Sequence, residues 1–130
     1  MKSIFLFLAF SLLFFSALVG QEKTWLDAQG NTVFEEDAVY FTFDKVKDSE
    51  KYAIVHYYKI GAIAEEFTMS FKNKEGKFIA YYVTGEVKTT GKYTNNLKDG
   101  VWKSYYRTGK IKEKGRYKNG EKVGVWKTFY

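Results

Sequence analysis

Polar and apolar residues alternate along the second half of the chain with the period-2 rhythm of a half-buried strand. Ile111, Glu113, Gly115 and Tyr117 form one set, and Lys110, Lys112, Lys114, Arg116 and Lys118 form the other. One side of that strand is therefore basic. Val87, Thr89, Gly91 and Tyr93 alternate with Glu86, Lys88, Thr90 and Lys92 in the same way, with a weaker charge. The aromatic and β-branched run Val101–Tyr106 is expected to be the partner strand, joined through Arg107-Thr108-Gly109-Lys110. Gly85 and Gly109 supply the positive φ that a short hairpin turn needs.

This pattern recurs without a gap at an interval of 24 residues, opened by Gly76, Gly100 and Gly124. The step aligns Phe78 with Trp102 and Trp126, Tyr81 with Tyr105 and Phe129, and Tyr82 with Tyr106 and Tyr130; Gly91 falls on Gly115 and Tyr93 on Tyr117. Asn96 stands where Gly120 stands, and these residue types best tolerate a left-handed backbone, so the connections Asn95–Gly100 and Asn119–Gly124 read as turns. Units of this length cannot bury an apolar face alone and are stable when stacked. The expected fold is all-β, a meandering antiparallel sheet of stacked 24-residue β-hairpin repeats. At roughly 4.8 Å per strand, each unit advances the sheet by about 10 Å. The repeat domain is placed at 52–130, with units 76–99 and 100–123, a partial unit 124–130 and a degenerate unit 52–75. In the degenerate unit Tyr57, Tyr58, Gly61 and Ile63 keep register, while Phe67 and Met69 replace the expected glycine and tyrosine.

The segment 21–51 reads as a leader: a short strand around Trp25, a turn at Gly30-Asn31, a helical turn at Glu35–Ala38, a strand at Val39–Phe43 and a charged loop at Asp44–Lys51. Ahead of it, Lys2 is followed by an uncharged run from Ile4 to Val19. That run is short for a membrane span and suits the apolar region of a secretory signal helix, 1–20, cleaved near Gly20; an uncleaved anchor is the alternative. The chain is accordingly expected to be exported, either periplasmic, associated with an outer membrane, or secreted.

Cysteine and proline are absent, so stability must come from packing, and glycine and asparagine make the turns. Charge is split: residues 21–71 carry five Lys and ten acids, a net of −5, whereas residues 72–130 carry fifteen Lys or Arg and five acids, a net of +10. Such asymmetry points to a basic binding face or to contact between opposite ends.

Nothing in the sequence points to catalysis, a metal or a cofactor. The single histidine, His56, shares a column with Ala80, Ser104 and Thr128 and reads as a strand residue; no nucleophile elbow or calcium-loop spacing is present. The pairs Glu35-Glu36 and Glu65-Glu66 read as solvated faces rather than glycosidase carboxylates. Trp102, Tyr105 and Trp126 read as cross-strand packing, with Gly91 and Gly115 leaving bare backbone for neighbouring rings. Gly85, Gly109, Gly100, Gly124, Asn96 and Gly120 complete the structural set. Candidate binding residues are Lys88, Lys92, Lys110, Lys112, Lys114, Arg116 and Lys118, with Tyr82 and Tyr106. A basic face attracts an acidic protein, anionic lipid headgroups or an acidic envelope polymer; an exported chain rarely meets nucleic acid. The strand ending near Tyr130 offers an edge for self-association or strand addition.

The phrase GVWKSYYRTGKIKEKGRYKNGEKVG, residues 100–124, resembles the bacterial variant of the MORN repeat, and the likeness extends over 52–130. The leader phrases WLDAQGN and EEDAVYF are similar to exported proteins that carry such repeats, often described as antitoxins of the YwqK type. The resemblance implies a twisted row of hairpins used for protein or lipid contact, with no catalytic residues. It also brings an alternative function, an antitoxin or immunity protein that neutralises a partner toxin.

Overall fold

The computed structural model describes residues 21–130; the expected signal helix lies outside the described residues. Nine strands run β1 Thr24–Leu26, β2 Tyr40–Thr42, β3 Tyr52–Tyr58, β4 Ile63–Ser70, β5 Asn73–Tyr81, β6 Val87–Thr94, β7 Leu97–Tyr105, β8 Ile111–Lys118 and β9 Glu121–Thr128. All belong to one antiparallel sheet whose spatial order is the chain order. The fold is thus the all-β meander that the alternation predicts, and the helical turn is a single 3₁₀ turn at Glu35–Asp37.

Two kinds of turn alternate. After β3, β5 and β7 the chain makes the same tight loop, in which the N–H groups of Gly61, Gly85 and Gly109 reach back to Tyr58, Tyr82 and Tyr106. Each of these glycines has a positive φ, as the sequence requires. The other turn is shorter than the sequence suggests. Asn95 and Asn96, at φ 50° and 68°, form it by themselves, as do Asn119 and Gly120 at 51° and 81°. Positive φ at both central residues is the two-residue turn that matches strand twist, so β7 begins at Leu97 rather than Val101. Gly100 and Gly124 consequently lie inside β7 and β9. There each accompanies a shift in the register of the preceding pair, between Thr90 and Lys92 and between Lys114 and Arg116. These glycines bend the sheet rather than reverse the chain.

The register divides the side chains of β3–β9 between two faces. One carries an aromatic ladder. Ile54, Phe67, Met69, Phe78 and Trp102 are its buried centre, with Tyr93, Tyr117 and Trp126 packed against them. Rings meet edge to face down the row: Phe78–Tyr93, Tyr93–Trp102, Trp102–Tyr117 and Tyr117–Trp126 have centroids 5.5, 5.2, 6.0 and 5.0 Å apart. A Cβ added to Gly91 or Gly115 would sit 2.1 Å from the indole of Trp102 or Trp126, so both tryptophans lie flat on bare backbone. The degenerate unit solves the same problem differently. Phe67 occupies the glycine column, and Phe78, which takes the tryptophan column on the next strand, stands opposite it with ring centroids 6.4 Å apart.

The leader finishes the sheet at β3. β2 meets only Tyr57 and Tyr58, and side chains replace the rest of the missing strand. Thr42 Oγ1 donates to the Val55 carbonyl at 2.8 Å, and Asp44 Oδ2 accepts the Val55 N–H at 2.8 Å. The outer side of β1 is closed by its own loop, where Val33 N–H donates to the Trp25 carbonyl.

Candidate functional site

The face opposite the ladder is basic in the way the alternation of β8 implies. Lys114, Arg116 and Lys118 are exposed and alternate with Gly115 and Tyr117, and Lys92 is exposed on β6. Pairing adds residues that the repeat alone does not single out. Lys103 stands directly opposite Lys114, and Lys114 directly opposite Lys127, so three lysines cross β7, β8 and β9 in one row. Lys77 likewise faces Lys92. Directly opposed like charges cost stability. Lys92 offsets this through Asp99 at 3.4 Å, but among the described residues no carboxylate lies within ion-pair reach of Lys103, Lys114 or Lys127.

Beside this row is a shallow apolar depression of about 520 Å³, lined by Val101, Val123, Val125 and Phe129 and flanked by Lys114, Arg116 and Lys127. Val125 is 81% exposed. The depression is thus apolar at its centre and bordered by cations.

Three of the candidate lysines leave the row. Lys110 belongs to the β7–β8 turn. Lys88 and Lys112 sit beside the register shifts at the ends of β6 and β8, with ammonium groups 5.8 and 5.9 Å from the rings of Tyr82 and Tyr106. Tyr82 and Tyr106 serve the array itself. The hydroxyls of Tyr58, Tyr82 and Tyr106 donate to the carbonyls of Tyr81, Tyr105 and Phe129 at 2.5, 2.6 and 2.7 Å, each tying one unit to the next. Asn96 has a similar role. Its N–H donates to the Lys74 carbonyl and its side-chain oxygen accepts the Lys74 N–H at 2.7 Å; at the equivalent turn only the backbone bond, Gly120 to Lys98, is kept.

A second lysine column, Lys74, Lys98 and Lys122, escapes the alternation because it lies on the ladder face. Its ammonium groups rest 4.8 Å from Phe67, 4.8 Å from Trp102 and 4.4 Å from Trp126. These side chains cover the ring faces left by the single-layer sheet. The 24-residue step is the signal that finds them. Trp102 Nε1 donates to the Lys92 carbonyl at 3.1 Å, whereas the buried Trp126 Nε1 has no partner among the described residues.

His56 lies on the ladder face, edge-on to Phe67, with Nδ1 2.9 Å from Glu65 Oε1. Among the described residues no group of three or more His, Asp or Glu side chains is arranged to hold a metal. No helix among them is long and apolar enough to cross a membrane. Comparison with known proteins found no matching family, no matching curated protein and no matching solved structure.

Proposed function

We propose that the chain is an exported, non-enzymatic repeat protein of the bacterial MORN-variant kind that binds an acidic protein through the face bearing Lys103, Lys114 and Lys127. The observation that carries this reading is the uncompensated lysine row beside the apolar depression. Charge opposed across three strands is a standing cost, and an anionic partner removes it. The apolar lining favours a folded protein, which offers both an acidic rim and an apolar centre, over a polyanion that offers charge alone.

A photo-crosslinking residue at position 125 in the intact cell tests the proposal. The expected result is one acidic partner whose crosslink disappears when Lys114 and Lys127 are both changed to Glu. A crosslink indifferent to that reversal overturns the reading. Sedimentation with phosphatidylglycerol vesicles in low salt, abolished by the same double variant in the absence of any protein crosslink, would transfer the face to anionic lipid. A crosslinked partner whose toxicity falls on binding would make this the contact of an immunity protein.

A further inference from the structure

The ladder face contains a second candidate site, independent of the basic face, where the repeat breaks. In the regular units the columns that contain His56 and Glu65 hold Ala80, Ser104 and Thr128, and Thr89 and Glu113. Only the first unit joins an imidazole to a carboxylate, and it does so in a groove. A depression of about 300 Å³ lies between the ladder and the leader turn, where Gln29 and Gly30 form one wall. It adjoins a second of about 230 Å³, and the two share Tyr40, Glu65, Phe78 and Tyr93. The wall is preformed. Asp27 Oδ1 accepts the N–H groups of both Gln29 and Asn31 at 2.9 Å.

Hydrogen-bonding capacity in this groove is not spent on the fold. Tyr52, Tyr58, Tyr82 and Tyr106 all donate their hydroxyls to carbonyl oxygens. Tyr40 and Tyr93 make no such bond among the described residues, although both line the groove. Burial, and then the Glu65 carboxylate, push both phenols above their ordinary range, which keeps them as neutral donors. Glu65 has a second carboxylate oxygen beyond the one that meets His56, and Gln29 offers both an amide donor and an acceptor.

The charges limit what can enter. The Lys74 ammonium already lies over Phe67 and Tyr93, at 4.8 and 5.0 Å, which disfavours a second cation. Glu65 disfavours an anion. What fits is an uncharged molecule with apolar faces, many hydroxyls of mixed donor and acceptor character, and enough length to follow two adjoining hollows. We infer that this groove binds a neutral oligosaccharide, its hydroxyls held by Glu65, His56, Tyr40 and Tyr93.

Saturation-transfer NMR on the intact protein with cellobiose, maltose and N,N′-diacetylchitobiose provides the test. Transfer to the ring protons of at least one disaccharide is expected, with binding weakened at least about tenfold by Glu65→Gln, the loss of a charged acceptor. Lys114→Ala, on the opposite face, should leave it unchanged. Tyr93→Phe removes one hydroxyl and no packing surface, and should also weaken binding if Glu65→Gln does not fold. Absence of transfer to all three sugars from folded protein overturns the inference. So does binding that neither variant changes, or a preference for trigalacturonate over the neutral sugars.

Discussion

On the ladder face, each step along the array repeats its neighbour. Phe78, Trp102 and Trp126 fill one column, Tyr93 and Tyr117 another, and Lys74, Lys98 and Lys122 a third. On the opposite face the same step sets Lys77 against Val101 and Val125, and Ile79 against Lys103 and Lys127. The difference follows from what each side must do. A single layer has no second sheet to bury against, so its cohesion is concentrated on one side, where a tryptophan needs a glycine beneath it and a ring beside it. The other side carries no such interlock, and its residues vary from unit to unit.

Substitutions should therefore separate the faces by size of effect. The largest loss is expected for Gly91→Ala, which drives a methyl group into the Trp102 indole. We expect more than about 3 kcal/mol of destabilisation and a fall in melting temperature of more than about 10 °C, followed by circular dichroism. Next is Phe67→Gly, expected to cost about 3 kcal/mol alone. In combination with Phe78→Trp, which restores the stack that Gly91 makes with Trp102, much of that loss should return; a double-mutant cycle by urea unfolding measures the recovery, and strict additivity would refute the equivalence of the two solutions. Tyr82→Phe, which removes one tie between units, should cost about 1 kcal/mol in the same assay.

Smallest, and opposite in sign, is Lys114→Glu on the lysine face. Between Lys103 and Lys127 it should stabilise the protein by about 0.5–1 kcal/mol in low salt, with the gain shrinking as salt rises. A destabilising result would mean that the row is not a cost borne for a partner. The buried phenols add a pH dependence. Tyr40, Tyr58 and Tyr93 have folded pKa values raised by burial, so their contribution is complete below the unfolded value near 10 and is lost as pH rises through the folded values. Alkaline denaturation should therefore be accompanied by phenolate absorbance.

The hairpins were legible because glycine at positive φ and alternation at period 2 are local facts. Gly85, Gly109 and the role of Gly91 and Gly115 beneath rings all follow from spacing. Gly100 and Gly124 were not legible as bulges, because a glycine beside an asparagine turn looks the same whether it reverses the chain or bends a strand. The lysine row was only half visible. Lys114 stands out within β8, but its opposition to Lys103 and Lys127 depends on register across strands, which the linear pattern does not contain. The Glu65–His56 pair was hidden for the same reason, since nine residues of sequence and a turn separate two side chains 2.9 Å apart.

The chain order of the nine strands also bears on how the molecule forms. All-β proteins fold slowly when distant segments must meet before any contact is gained. Here every strand pairs with the one just made, across connections that from β3 onward are short turns, so the entropy of closing each loop is small. The sheet can grow like a zipper from any hairpin. The tyrosine hydroxyl that reaches the following unit acts as the tooth that holds each new pair in place.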